Sequence, residues 1–156
     1  MRTEAEKFEV EKRVFEEFAS AAQLVYDNAS LTKGDANVGE PDIRVNLAGE
    51  LVYFELTEAC APEFAAAVSE SIKRGEMVGA VWGEDVSAAT VRKKLSKSYA
   101  VPEPVELLIY TDGFTGSTDE MLVAELDPVL AEGLGPFRKV WLLGDEVSVL
   151  ASVPTS

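Results

Sequence analysis

Along the first 27 residues the apolar side chains Phe8, Phe15, Phe18, Ala22 and Val25 recur at helical spacing, and most other positions are charged. That stripe predicts an amphipathic helix over residues 3–27. Asp27-Asn28 and Gly34 mark its end and a loop. The period then changes. Asp42-Ile43-Arg44-Val45-Asn46-Leu47 alternates polar and apolar residues, as a half-buried strand does. Ala48-Gly49-Glu50 reads as a short turn. Leu51 to Leu56 is a β-rich run, with Val52, Phe54 and Leu56 on one face and Tyr53, Glu55 and Thr57 on the other. The two runs predict a β-hairpin. This pattern does not require Glu55 to be buried.

Pro62 suits the first turn of a second helix over residues 62–74, which Gly75 ends. Met77 to Trp82 reads as a short strand or an extended connection, and residues 86–98 as a third, basic helix. Pro102 and Pro104 interrupt the chain before Val105 to Tyr110, a buried-strand pattern. Asp112 to Ser117 reads as a loop, with Thr118 as N-cap of a helix running to about residue 132. Phe137 to Leu143 and Glu146 to Ala151 predict two closing strands. This alternation gives an α/β class with a mixed central sheet flanked by helices. No internal repeat or dividing linker interrupts residues 3–153, which are expected to form one domain.

Composition narrows the chemistry. With 156 residues, 47% of them apolar, the chain can bury a sizeable core. Its single cysteine, Cys60, forbids an internal disulfide, and the absence of histidine removes Ser-His-Asp and Cys-His nucleophilic systems and Cys/His zinc clusters. Acid/base work falls to carboxylates, lysine, tyrosine or a cation-activated water. No apolar run approaches the roughly 20 residues that span a bilayer, and Met1-Arg2-Thr3-Glu4 lacks the core of a signal peptide. A cytoplasmic location without membrane association is expected. The formal charge of −14 opposes tight non-specific nucleic-acid binding. Basic residues nevertheless cluster, at Lys73-Arg74 and at Arg92-Lys93-Lys94 with Lys97.

The candidate site is a pair of carboxylates. Asp42 begins one hairpin strand and Glu55 lies near the end of the other. Pairing Leu47 with Leu51 or Val52 brings position 42 beside position 56 or 57, and a bulge or one-residue shift decides whether Asp42 and Glu55 share a face. Two converging carboxylates can hold a hard cation such as Mg²⁺, with the main-chain carbonyl of Leu56 as a further oxygen.

Pro41-Asp42, a gap across the hairpin, and Glu55-Leu56-Thr57 resemble the PD-(D/E)xK nuclease superfamily. The order of elements is similar over most of the chain, including the basic helix Val91 to Tyr99 and the strand that follows. The resemblance implies a restriction-endonuclease-like fold, a Mg²⁺ cofactor held by Asp42 and Glu55, and hydrolysis of nucleic acid. It also implies a glutamate from the first helix, for which Glu17 and Glu16 are candidates. The chain departs from the pattern where Thr57 stands in place of the family's lysine. Thr57 can bond a water but carries no charge, so Lys94 and Lys97 are candidates for a relocated lysine. An alternative is a binding or assembly module that kept the fold and lost the chemistry, acting as a homodimer or on a protein partner. The acidic charge alone suggests a third, a DNA mimic or inhibitor of a basic protein.

Overall fold

The computed structural model describes residues 3–59, 86–111 and 119–153. The helix expected over residues 62–74, the segment Met77 to Trp82, Cys60 and the Asp112–Thr118 loop and cap lie outside the described residues. Among those described, three helices and a six-stranded mixed sheet make an α/β architecture.

Helix α1 (Glu4–Ala21) starts with a reciprocal cap. Thr3 accepts from the Glu6 N–H, and the Glu6 carboxylate accepts from the Thr3 N–H. It ends at Ala21, earlier than the apolar stripe suggests. Gln23 turns left-handed at φ 57°, and the Leu24 N–H bonds back to the Ala19 carbonyl. That closing pattern satisfies the last carbonyls and stops the helix. Val25, expected on the buried stripe, is 76% exposed as a result.

The strands are β1 (Thr32–Lys33), β2 (Ile43–Leu47), β3 (Glu50–Glu58), β4 (Val105–Tyr110), β5 (Lys139–Leu143) and β6 (Val147–Ser152). They lie in the sheet in their chain order. β3, β4 and β5 are mutually parallel, and the other pairings are antiparallel. The short strand β1 falls in what the sequence reads as loop.

Helix α2 (Val86–Leu95) precedes β4, and α3 (Asp119–Leu130) precedes β5. Val91 of α2 and Leu122, Leu126 and Val129 of α3 pack on Leu107, Ile109, Val140 and Leu142. On the other face, Val14, Phe15 and Phe18 of α1 pack on Ile43, Val45, Val52, Phe54 and Leu108. The Phe15 ring meets those of Phe18 and Phe54 edge-on at 5.8 and 5.1 Å. Each fully buried Phe contributes about 1.5–3 kcal/mol, which fixes α1 against the hairpin. No described helix is long and apolar enough to cross a membrane.

Candidate functional site

The hairpin register sets the site. β2 and β3 join through Ala48-Gly49 alone, both left-handed, at φ 48° and 91°, so Leu47 pairs with Glu50. Glu50 belongs to the strand and not to the turn. Following the same register, Ile43 pairs with Phe54, and the next positions out are Asp42 and Glu55. The expected pairing with position 56 or 57 is therefore corrected: the tighter turn sets the two acids directly opposite each other, with no bulge.

Side chains continue the ladder there. The Asp42 N–H donates to Glu55 Oε1 at 3.1 Å, and the Leu56 N–H donates to Asp42 Oδ2 at 2.9 Å. Leu56 thus meets the site through its N–H. Glu55 is 3% exposed, contrary to the solvent-facing position that its alternating neighbours allow. β3 is a central strand, covered on both faces.

A buried carboxylate must be paired. Glu55 Oε2 accepts from Lys94 Nζ at 2.9 Å and from Lys97 Nζ at 3.3 Å. Lys94 lies in the last turn of α2, and Lys97 just beyond it. Burial opposes the charge on Glu55, but the two ammonium groups outweigh it and hold its pKa below the ordinary carboxylate value. Lys94 is raised: burial disfavours its charge and Glu55 more than offsets that. Tyr99 also faces Glu55. Burial and then the Glu55 charge push the phenol up, and its hydroxyl makes no well-formed hydrogen bond among the described residues.

The helix glutamate at the site is Glu11, where Glu17 or Glu16 was expected. Glu17 is exposed and pairs with Arg13 at 3.3 Å, and Glu16 is exposed as well. Six residues along a helix is a rotation of about 240°, so Glu17 cannot share Glu11's face. Glu11 lies one turn before Phe15 on the buried stripe and is 6% exposed. Burial first, then the Asp42 charge, raise its pKa to about 8, and its carboxyl is within hydrogen-bonding reach of Asp42. Asp42 is itself raised, by burial and by Glu55, against the opposing effects of the Leu56 N–H and Lys94. Lys7, one turn before Glu11, lowers both.

Thr57 follows on the same side of β3 as Glu55, 7% exposed, beside Ile109 of β4. The positive charge at the site comes from Lys94 and Lys97. Among the described residues, no three acidic side chains are spaced as a ready cation shell. The donors are carboxylate oxygens, the type a hard cation takes, but burial and mutual repulsion favour the protonated forms of Glu11 and Asp42, and the two lysines already neutralise Glu55. A cation there would compete with the lysine ammonium groups for Glu55.

No protein-family model matches the chain, and no curated protein and no solved structure resembles it at a significant level.

Proposed function

We propose that the chain is a divalent-cation-dependent phosphodiesterase acting on nucleic acid, with a restriction-endonuclease-like arrangement of its α/β elements. The observation that carries this reading is the cross-strand placement of Asp42 and Glu55 with a lysine ammonium 2.9 Å from Glu55. Asp42, Glu55 and Glu11 are the residues that would hold Mg²⁺. When bound, Mg²⁺ polarises a phosphoryl oxygen and lowers the pKa of an attacking water. Lys94, 2.9 Å from Glu55, would supply the fixed positive charge that Thr57 cannot for the charge that develops on the phosphoryl oxygens. Lys97 is the second cation available for that work. Glu11, whose pKa burial and Asp42 raise to about 8, would give up its proton on taking the cation.

The experiment is nicking of a supercoiled plasmid. With Mg²⁺ or Mn²⁺ the unmodified chain nicks, and Asp42→Asn and Glu55→Gln each lose about a hundredfold or more in rate. Absence of metal-dependent nicking by the unmodified chain would reject the reading. A second reading, an assembly or regulatory module with the chemistry retired, is favoured by the lysine ion pairs that already neutralise Glu55. It predicts that metal leaves the protein unchanged and that Asp42→Asn is tolerated without functional loss.

A further inference from the structure

The two edges of the sheet differ. β1 is two residues long, and its Lys33 is paired with Glu4 at 2.8 Å. A short edge carrying a lysine resists pairing with another chain. β6 is six residues long and pairs with β5 alone. Val147 to Val153 carries no charged side chain, on a chain of formal charge −14. No residue of β6 is buried, and Val149 is 46% exposed. Helix α1 reaches that side of the sheet through Phe18, whose ring lies 5.0 Å from that of Trp141. Val149 pairs with Trp141 one strand further out, beyond that cover.

The main chain of β6 is set for pairing. The Leu143 carbonyl accepts from the Thr111 N–H, on the β4 side. Leu143 therefore turns away from its partner Val147, and opposite residues in an antiparallel pair exchange both bonds or neither. Val147 and, two residues on, Val149 thus aim their N–H and C=O groups out of the sheet. Among the described residues no main-chain bond reaches either of them from that side. Upstream, Asp119 of α3 accepts from the Asp145 and Glu146 N–H groups at 3.0 and 3.1 Å, which fixes the start of the strand. Downstream, a bulge at Leu150 separates the Val149–Trp141 pair from the Ala151–Val140 pair and bends the strand. The segment left for pairing is Val147-Ser148-Val149.

We propose that this segment pairs with the same segment of a second copy of the chain, antiparallel about a two-fold axis at Ser148. Val147 then exchanges both main-chain bonds with the partner's Val149, and Val149 with the partner's Val147, joining the two sheets edge to edge. A two-fold contact sets one patch against itself, so a charged strand would repel its own copy. The uncharged stretch avoids that on a strongly acidic chain. A partner recognised by charge would seek the acidic surface instead. The interface is small, so the dimer forms at raised protein concentration. This pairing does not rest on the phosphodiesterase reading.

Sedimentation equilibrium of the full chain tests it. The unmodified chain dimerises as concentration rises, and monovalent salt tightens the dimer by screening the repulsion between two acidic copies. Val149→Pro removes an outward N–H and no bond within the sheet. It weakens dimerisation at least about tenfold, because two symmetry-related bonds go together. Val149→Thr keeps the N–H and the branched side chain, and dimerises within about threefold of the unmodified chain. Dimerisation untouched by Val149→Pro, or an unmodified chain that stays monomeric at every concentration and salt, overturns the proposal. Should Val149→Pro lose its fold by circular dichroism, hydrogen exchange of the unmodified chain decides. The Val147 and Val149 amides exchange more slowly as concentration rises, and rates that do not change overturn the pairing.

Discussion

Glu11 carries a cost in the folded protein that a glutamine would not. Its pKa rises from 4.5 to about 8 on folding, so the folded state keeps a proton that the unfolded chain releases. The stability tied to that proton is fully present below the unfolded value and is lost as pH climbs from about 4.5 through about 8. Glu55 has the opposite sign. Its pKa is depressed, so its contribution is present above the unfolded value and is lost as pH falls through the folded one. In thermal melts without divalent cations, Glu11→Gln should flatten the alkaline loss and melt above the unmodified chain beyond pH ~8. Equal melting temperatures there would contradict the account. Lys94→Met removes the closer of Glu55's two cations and should cost about 1–3 kcal/mol in urea unfolding at neutral pH. Asp42 and Glu55 were legible from their places in the hairpin pattern. Glu11 was legible only as an anomaly: it fills the gap between Phe8 and Phe15 in a stripe continued by Phe18 and Ala22. What it meets there depends on residues far along the chain, which periodicity does not report.

At the scale of elements, turns decide what strands alone leave open. The alternation over Asp42–Leu47 and Leu51–Leu56 fits several registers, and the left-handed pair Ala48-Gly49 selects the one that opposes the two acids. A left-handed Ala is strained by about 1–2 kcal/mol. Ala48→Asn, a better resident of that turn, should raise stability by up to about 1 kcal/mol without moving the register, as cross-strand amide contacts in NMR spectra would show. Gly135 has the reverse sensitivity. At φ 58°, an added Cβ would sit 2.0 Å from the Leu95 carbonyl, at the end of α2. Gly135→Ala should therefore cost about 2 kcal/mol or more, lowering the melting temperature by several degrees and shifting the turn that presents Lys94 and Lys97. β4 matched its sequence pattern residue for residue, because Val105 to Tyr110, apolar but for Glu106 and preceded by Pro104, reads as a buried strand. The end of α1 did not, because the left-handed Gln23 leaves no mark in an apolar stripe that continues to Val25.

The whole molecule carries a formal charge of −14, a field that the proposed polyanionic substrate would have to approach against. The Debye length shrinks from about 30 Å at 0.01 M salt to about 8 Å at physiological strength. Moderate monovalent salt should therefore speed the association of oligonucleotide with the divalent-cation-loaded protein, the opposite of a basic binder. Stopped-flow rates across that range would test the sign. Composition alone points away from nucleic acid, and it could not report that the fold gathers Lys94 and Lys97 at Glu55. The claim beneath all of this is that Glu11, Asp42 and Glu55 form a seat for a divalent cation. Equilibrium titration with Mn²⁺ tests it most directly. The account predicts saturable binding by the unmodified chain, weakened at least about tenfold in Asp42→Asn. No saturable binding, or equal binding by the variant, would contradict it.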